Sequence, residues 1–209
     1  MCKECCIVGA GPSPIYIRRG AFVIAADGGL EKLNKAGISP DLVMGDFDSL
    51  ASPPKGDNVL TFPKDKNDTD TLLAIKEALG RGYEKIFISG GVGGRLDHTI
   101  ANIQSLIFAN KLGAEAYLCG DGETVTVING RKAEFSETCR GYISVFSLNE
   151  NAVGVNIEGL KYSVSGASLS NMFPIGVSNE FVGKKAVVSA ENGMLSLIWQ
   201  GLPDDVTII

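Results

Sequence analysis

The spacing of apolar residues divides the chain into two halves with different predicted structures. Through about residue 125, short apolar runs of strand length alternate with stretches of helical spacing. The apolar runs cover residues 5–8, 21–26, 42–44, 59–62, 85–88 and 116–118. This alternation is typical of parallel strands whose sheet carries helices on its faces. We therefore predict an α/β unit in the first half.

Two stretches between these runs have the periodicity of amphipathic helices. One covers residues 69–79 and stops at Gly80 and Gly82. The other covers residues 96–112 and ends at Gly113. Its apolar stripe consists of Ile100, Ile103, Leu106 and Ile107. We expect both helices to pack on the sheet, the second one through that stripe.

Helical spacing disappears after about residue 130, where glycines separate segments of strand length. Three of these segments, residues 142–148, 153–157 and 195–199, are rich in β-branched and aromatic residues and partly alternate. They predict a small antiparallel sandwich or barrel, with Trp199 in its core. The change of pattern falls between Thr124 and Ala133, so we assign residues 1–128 to the first domain and 129–209 to the second.

Composition and charge narrow the function classes. The 209 residues are 44% hydrophobic and 21% charged, as in ordinary globular domains, and the net charge is −5. This acidic balance argues against a protein that coats nucleic acid or an anionic membrane. No apolar run approaches the roughly 18 residues of a membrane-spanning helix, and the first residues lack the features of a signal peptide. We expect a cytoplasmic protein.

The five cysteines favour free thiols over disulfides. Their number is odd, and the chain has no secretory features. Cys2 and Cys5 have the spacing of one half of a zinc knuckle, but a second cysteine pair is missing and His98 is the single histidine. We therefore expect reduced cysteines near the first strand rather than a zinc site.

Acidic residues follow several of the predicted strands. Asp27 follows the second, Asp46 and Asp48 follow the third, and Asp70 opens the helix after the fourth. The carboxyl ends of parallel strands are where such sheets bind ligands, and on an extended segment Asp46 and Asp48 would point the same way. Two carboxylates about 4 Å apart repel by roughly 4 kcal/mol at an effective dielectric of about 20, so a cation must lie among them. Carboxylate oxygens completed by substrate phosphates are the ligands that magnesium prefers.

A glycine-rich segment after the fifth strand indicates a phosphate site. Gly90, Gly91, Gly93 and Gly94 allow the backbone to approach a phosphate closely, just ahead of a helix. Arg95, which follows them, can bond a pair of phosphate oxygens.

Each of these patterns also has a purely structural interpretation. A glycine run is usually a turn, and Asp68 and Asp70 can serve as caps at a helix start. His98, near the start of the other helix, is by default a capping or packing residue and only secondarily a general base. Gly9-Ala10-Gly11 is a weak match to a dinucleotide fingerprint, because Pro14 occupies the place of its third glycine.

Five segments, in this order and spacing, resemble the thiamine pyrophosphokinase family. They are Asp27-Gly28-Gly29, Gly45-Asp46-Phe47-Asp48-Ser49, residues 65–70, Gly94-Arg95-Leu96-Asp97-His98 and Gly176-Val177-Ser178-Asn179-Glu180. The resemblance spans about residues 5 to 200. It implies an α/β, Rossmann-like catalytic half with a parallel sheet, followed by an all-β sandwich. It also implies transfer of a pyrophosphate group from ATP to thiamine, which gives thiamine diphosphate and AMP.

The resemblance implies roles for particular residues. Asp46, Asp48 and Asp70 would hold Mg²⁺ and carry the catalysis, with Asp46 or Asp70 taking the proton of the thiamine hydroxyl. The other residues would contact substrates: Asp27 and Thr69 near the nucleotide, Lys66 and Arg95 at the phosphates, Asp97 near both substrates, and Ser178, Asn179 and Phe181 at thiamine. Members of the family are homodimers that bind thiamine across the interface, so the resemblance implies a homodimer here.

Two other functions fit the same residues. With water as the acceptor, the metal cluster would make the chain a nucleotide pyrophosphohydrolase. Without turnover, the chain would be a nucleotide- or thiamine-sensing module. The family pattern often carries a further acid where this chain has Asn67, so a metal role for that position stays open.

Overall fold

The computed structural model of the protein describes residues 3–47, 54–63, 65 and 67–209. The chain forms two compact units, of which the first ends at Asp121 and the second spans Gly122–Ile209. Asp48 and Lys66, for which the sequence predicts a metal and a phosphate role, lie outside the described residues. The strands are parallel in the first unit and antiparallel in the second.

Six strands of the first unit form a parallel sheet. They are β1 (Glu4–Val8), β2 (Phe22–Ala26), β3 (Leu42–Gly45), β4 (Val59–Thr61), β5 (Lys85–Ser89) and β6 (Glu115–Cys119). Their order across the sheet is β4-β3-β2-β1-β5-β6. The strands correspond to the six apolar runs of the sequence. Strands β1, β2, β3, β5 and β6 are almost entirely buried, which is why they form continuous apolar runs rather than alternating ones.

Three helices belong to the first unit: α1 (Gly29–Lys35), α2 (Asp70–Gly80) and α3 (Leu96–Lys111). Helices α2 and α3 lie within a residue or two of their predicted bounds. Helix α1 was not predicted, because its 7 residues are too few for a clear helical period. Among the described residues, no helix is both long and apolar enough to cross a membrane.

The predicted apolar stripe of α3 is wrong in part. Ile100 is 52% exposed, whereas the buried positions of the helix are Asn102, Ser105, Leu106 and Ala109. The physical reason is a contact outside the helix: the Asn102 side chain donates a hydrogen bond to the carbonyl oxygen of Gly91, at 2.8 Å. A polar contact to a loop therefore sets which face of α3 is buried.

The second unit consists of two antiparallel sheets. One has the order β12-β9-β14-β7 and the other the order β11-β10-β13-β8-β15. The strands are β7 (Glu123–Asn129), β8 (Lys132–Phe135), β9 (Tyr142–Ser147), β10 (Asn151–Glu158), β11 (Val164–Ser170), β12 (Asn179–Glu180), β13 (Ala186–Ser189), β14 (Met194–Gln200) and β15 (Val206–Ile208). Strand β7 pairs with β14 and so lies in the second unit, although the predicted domain boundary followed residue 128.

Aromatic residues join the two antiparallel sheets into a sandwich. Phe135 on β8 packs edge-on against Trp199 on β14, with ring centroids 5.4 Å apart, and lies 5.3 Å from the ring of Phe181. Trp199 is 1% exposed, as expected for a core residue. Of the sandwich and barrel alternatives, the sandwich is therefore observed.

Candidate active site

A cleft opens in the first unit where the strand order reverses. The chain adds β2, β3 and β4 on one side of β1 and then β5 and β6 on the other, so the reversal lies between β1 and β5. Ligands of open α/β sheets bind at the carboxyl ends of the strands beside such a reversal. Here those ends lead into the first glycine loop (residues 9–11) and the second glycine loop (residues 90–94), and both loops line a cleft of about 380 Å³.

The two glycine loops are held together through their backbones. The Gly9 amide donates to the carbonyl oxygen of Ser89 at 2.8 Å, and the Gly11 amide donates to that of Gly90 at 2.9 Å. A Cβ atom on Gly90 would overlap the carbonyl oxygen of Gly9, and Gly90 has a φ of +71°. Glycine is therefore required here by both contact and conformation. Residues 9–11 line the cleft. Their sequence gives only a weak indication of this, because it matches a dinucleotide fingerprint poorly.

Asp27 lines the same cleft at the end of β2. It has a left-handed backbone with φ of 48°, which an aspartate tolerates better than most residues. Its amide donates to the carbonyl oxygen of Met44 at 2.7 Å and so ties the turn to β3. A Cβ on Gly29 would overlap the carbonyl oxygen of Val8, so only glycine lets α1 begin this close to β1. The sequence Asp-Gly-Gly thus delivers a carboxylate to the cleft.

Thr69 and Asp70 reach the cleft from the start of α2. Thr69 is the N-cap, and its hydroxyl oxygen accepts a hydrogen bond from the Leu72 amide at 3.2 Å. Asp70 is the first residue of the helix, and its Oδ1 atom is buried. Asp68 forms an ion pair with Lys76 at 2.6 Å, which gives that neighbouring acid a structural role.

Asp46 follows β3 and is partly buried, but the chain around it differs from the prediction. The expected extended geometry from Asp46 to Asp48 is wrong at the residue between them. Phe47 has a left-handed backbone with φ of 55°, and its side chain is 1% exposed in a core cluster with Val8 and Leu33. The left-handed turn at Phe47, whose ring is buried in the core, therefore interrupts the extended segment on which the prediction rested.

Arg95 and Asp97 form an exposed ion pair at the edge of the cleft. Arg95 Nη2 donates to Oδ2 of Asp97 at 2.6 Å, and Nε donates to Oδ1 at 3.1 Å. These hydrogen bonds and the positive charge of Arg95 lower the pKa of Asp97. The His98 amide also donates to Oδ1 of Asp97, at 2.9 Å. Arg95 and His98 line the cleft.

The predicted thiamine contacts all lie in the second unit. Ser178 is exposed, has φ of 58°, and donates its amide to Oγ of Ser144 at 3.1 Å. Asn179 is buried, and its carboxamide bonds both the amide and the carbonyl of Tyr162, at 2.9 and 2.7 Å. Phe181 is 7% exposed and packs on Phe135. The Asn179 carboxamide and the Phe181 ring therefore stabilise the second unit itself.

The acids near the cleft supply carboxylate oxygens. Asp27 and Asp70 line one cleft, and Gly45, which precedes Asp46, packs so closely on Asp27 that an added Cβ would lie 3.1 Å from its Cα. Carboxylate oxygens are the hard ligands that Mg²⁺ prefers. Within the described ranges, no group of three or more histidine, cysteine, aspartate or glutamate side chains is close enough to hold a metal ion.

Comparisons with known protein families indicate the same family for both units. The pattern described as thiamin pyrophosphokinase, catalytic domain, matches residues 15–118. The pattern described as thiamin pyrophosphokinase, vitamin B1 binding domain, matches residues 131–195. The chain is also 26% identical over 205 residues to the thiamine pyrophosphokinase of Bacillus subtilis (strain 168), an alignment that covers 92% of this chain and 96% of that protein.

Solved structures share both units of the fold. The crystal structure of thiamine pyrophosphokinase from Bacillus subtilis has a TM-score of 0.85 at 27% identity and covers 95% of this chain and 99% of that one. The thiamin pyrophosphokinase from Geobacillus thermodenitrificans has a TM-score of 0.82 at 25% identity, with 97% of this chain and 99% of that one covered. The thiamin pyrophosphokinase from Candida albicans shares the fold at 16% identity, with a TM-score of 0.76 and coverage of 95% of this chain and 89% of that one.

Proposed function

The chain belongs to the thiamin pyrophosphokinase family, and we propose that the cleft of its first unit is where the reaction of that family takes place. The protein is an enzyme that transfers the pyrophosphate group of ATP to thiamine and gives thiamine diphosphate and AMP. One observation carries the choice of site. Two glycine loops, whose backbones can approach a phosphate, share a cleft of about 380 Å³ with the carboxylates of Asp27 and Asp70.

The nucleotide phosphates would lie against the two glycine loops. The strand order supports a Rossmann-like use of this unit, in which a nucleotide binds where the order reverses. Backbone without Cβ atoms permits close approach of phosphate oxygens, and α3 begins directly after the second glycine loop. Arg95 would bond two phosphate oxygens with the same fork of nitrogens that it presents to Asp97. Lys66 and Asp27 complete the predicted nucleotide contacts, with Thr69 capping the neighbouring helix.

Asp46, Asp48 and Asp70 are the residues that we propose hold Mg²⁺. Asp70 lines the cleft, and Asp46 directly follows Gly45, which packs on Asp27. Carboxylates brought together in one site would repel one another unless a cation lay among them. Mg²⁺ held by these residues would neutralise phosphate charge and help to position the polyphosphate for displacement. The carboxylate of Asp46 or Asp70 would accept the proton from the hydroxyethyl oxygen of thiamine as that oxygen attacks the β-phosphorus. If Arg95 bonds a phosphate instead of Asp97, the carboxylate of Asp97 would be able to contact the substrates.

The second unit would supply the thiamine site and a dimer interface. Directly before Ser178, the chain exposes four large apolar side chains: Met172, Phe173, Ile175 and Val177, which are 71%, 67%, 69% and 54% exposed. A concentration of exposed apolar side chains marks an interaction surface. This supports a homodimer in which thiamine binds across the interface near Ser178 and Asn179. Sedimentation analysis tests it, and a monomer at micromolar concentration would contradict it.

The same proposal places the catalytic role in residues 1–128 and the thiamine-binding role in residues 129–209. It also places the enzyme in the cytoplasm, because Cys5, Cys6, Cys119 and Cys139 are buried and form no disulfides among the described residues. We propose no nucleic-acid or membrane partner, given the net charge of −5. The hydrolase and sensing functions considered from the sequence are not favoured by the family match.

Product analysis tests the proposed function. Purified protein is incubated with ATP and Mg²⁺, with and without thiamine, and the products are separated. We expect AMP and thiamine diphosphate in equal amounts, and AMP only when thiamine is present. AMP release without thiamine would support the pyrophosphohydrolase instead, and ligand binding without any product would support the sensing module.

A further inference from the structure

Lys32 connects helix α1 to the cleft. Its ammonium group donates to two backbone carbonyl oxygens, that of Gly11 at 2.6 Å and that of Ser13 at 2.7 Å. The side chain is partly buried, and this burial lowers the pKa of Lys32. Both acceptors belong to the chain segment that leaves β1 and includes the end of the first glycine loop. A charged donor therefore holds the backbone of this segment at two points.

The segment that Lys32 holds is in turn bonded to the second glycine loop. The buried Ser13 accepts a hydrogen bond at Oγ from the Gly90 amide, at 2.9 Å. The Gly11 amide donates to the carbonyl oxygen of Gly90, also at 2.9 Å. The amide and the carbonyl of Gly90 are thus bonded to Ser13 and Gly11. The carbonyl oxygens of these two residues in turn accept hydrogen bonds from Lys32. On the far side of the loop, Asn102 bonds the carbonyl of Gly91.

Around Ser13 the backbone offers few hydrogen-bond donors of its own. Pro12 and Pro14 flank Ser13 and carry no N–H group, and residues 10–20 form no helix or strand. A hydrogen bond to a charged donor is about twice as strong as one between neutral groups. The two bonds from Lys32 are therefore strong contacts for the backbone of Gly11 and Ser13.

We propose that Lys32 is a positioning residue for the reaction: through Gly11 and Ser13 it sets the place of both glycine loops against the nucleotide phosphates. This rests on the proposed placement of ATP in the cleft. Lys32 itself contacts no substrate in this proposal. It acts on the loop backbone that contacts the phosphates. Displacement of a positioning group by about 1 Å can cost about 100-fold in rate.

Kinetics of Lys32→Met separate this role from a merely structural one. We expect kcat/KM for ATP to fall by about tenfold or more at a temperature well below the unfolding midpoint, while KM for thiamine changes by less than about twofold. Lys32→Arg keeps a charged donor and should recover most of the loss. Lys35→Met is the matched control, because Lys35 lies on the same helix but is exposed and pairs with Glu31 at 2.7 Å. That variant should match the wild type.

A folded Lys32→Met protein with wild-type kinetics toward ATP would overturn the inference, even if its unfolding midpoint were lower. Should that variant not fold, Ser13→Ala provides the same test, because it removes the hydrogen bond that the Gly90 amide donates to Ser13 Oγ. It should also reduce kcat/KM for ATP selectively, and wild-type values would overturn the proposal. Failure of the wild type itself to form thiamine diphosphate would instead refute the proposed function, so the two failures are distinguishable.

Discussion

Arg95 and Asp97 are bonded to each other at two points, although both are expected to face substrates. The contacts of 2.6 and 3.1 Å join two guanidinium nitrogens to the two carboxylate oxygens. The pair is 73% and 63% exposed, so water competes with it and its contribution to stability is small. A phosphate presents the same pair of oxygens to the same fork. Binding of a nucleotide can therefore exchange the partner of Arg95 and release Asp97 at little energetic cost.

Arg95→Lys tests the role of the guanidinium fork. Lysine keeps the charge but loses the planar pair of donors, so we expect kcat/KM for ATP to fall by about tenfold or more. The unfolding midpoint should not change, because the Arg95 side chain is exposed. Arg19→Lys is the control, since Arg19 is exposed in the same unit and does not line the cleft. Steady-state kinetics that match for the two variants would argue against a phosphate contact.

Titration of Asp97 tests the ion pair itself. The hydrogen bonds from Arg95 lower the pKa of Asp97 below its ordinary value of 3.8. A lowered carboxyl pKa contributes stability above the ordinary value, and this contribution is lost as the pH falls through the lowered value. Arg95→Met should therefore move the midpoint of Asp97 upward in an NMR titration of the side-chain carboxyl carbon. An unchanged or lower midpoint in the variant would show that the pair does not form in solution.

Asp70→Asn tests the role of the acid at the start of α2. The substitution keeps the shape of the side chain but removes its charge, so we expect turnover to fall by about 10³-fold while the protein stays folded. Asp68→Asn is a close control, because Asp68 lies two residues away and pairs with Lys76 instead. Its rate should stay within about twofold of the wild type. An Asp70→Asn enzyme that is fully active at saturating Mg²⁺ would exclude Asp70 from the chemistry, and Asp48→Asn is expected to behave like Asp70→Asn.

Gly90→Ala tests the close approach of the two glycine loops. Alanine at Gly90 would overlap the carbonyl oxygen of Gly9 and would also adopt an unfavourable positive φ of +71°. Gly82→Ala isolates the second effect, since Gly82 has φ of +78° and its added Cβ would meet nothing within 4 Å. Chemical denaturation should show a loss of about 1–2 kcal/mol for Gly82→Ala and a larger loss for Gly90→Ala. Only Gly90→Ala should also weaken nucleotide binding, and equal effects of the two variants would contradict the loop contact.

Much of the fold follows from the sequence because its signals are local. Strands such as β1 and β5 are buried on both faces, so each one forms an uninterrupted apolar run that needs no knowledge of its neighbours. The acids that follow β2 and β3 can also be identified from the sequence, because each one comes just after an apolar run. Helix α1 is different: its 7 residues form too short a pattern, and contacts with the sheet rather than its own periodicity make it a helix.

The parts that the sequence did not predict depend on contacts between distant residues. Lys32 looks like any surface lysine until the fold brings it within bonding distance of Gly11 and Ser13, 21 and 19 residues away. Asn102 is not among the apolar residues of the predicted α3 stripe, yet it is buried and donates a hydrogen bond to Gly91. Phe47 interrupts the extended segment predicted between Asp46 and Asp48, because its ring packs in the core. In each case a tertiary contact outweighs the local pattern.

The central claim is that acids at the strand ends and the start of α2 bind a divalent cation, which holds a nucleotide polyphosphate against the two glycine loops. Its most direct test is a crystal structure of the protein with Mn²⁺ and α,β-methylene-ATP, in which anomalous scattering locates the metal. We expect the Mn²⁺ peak within about 2.2 Å of carboxylate oxygens of Asp46 and Asp70, with phosphates beside residues 9–11 and 90–94. A fully occupied metal and nucleotide bound away from these acids and loops would contradict it.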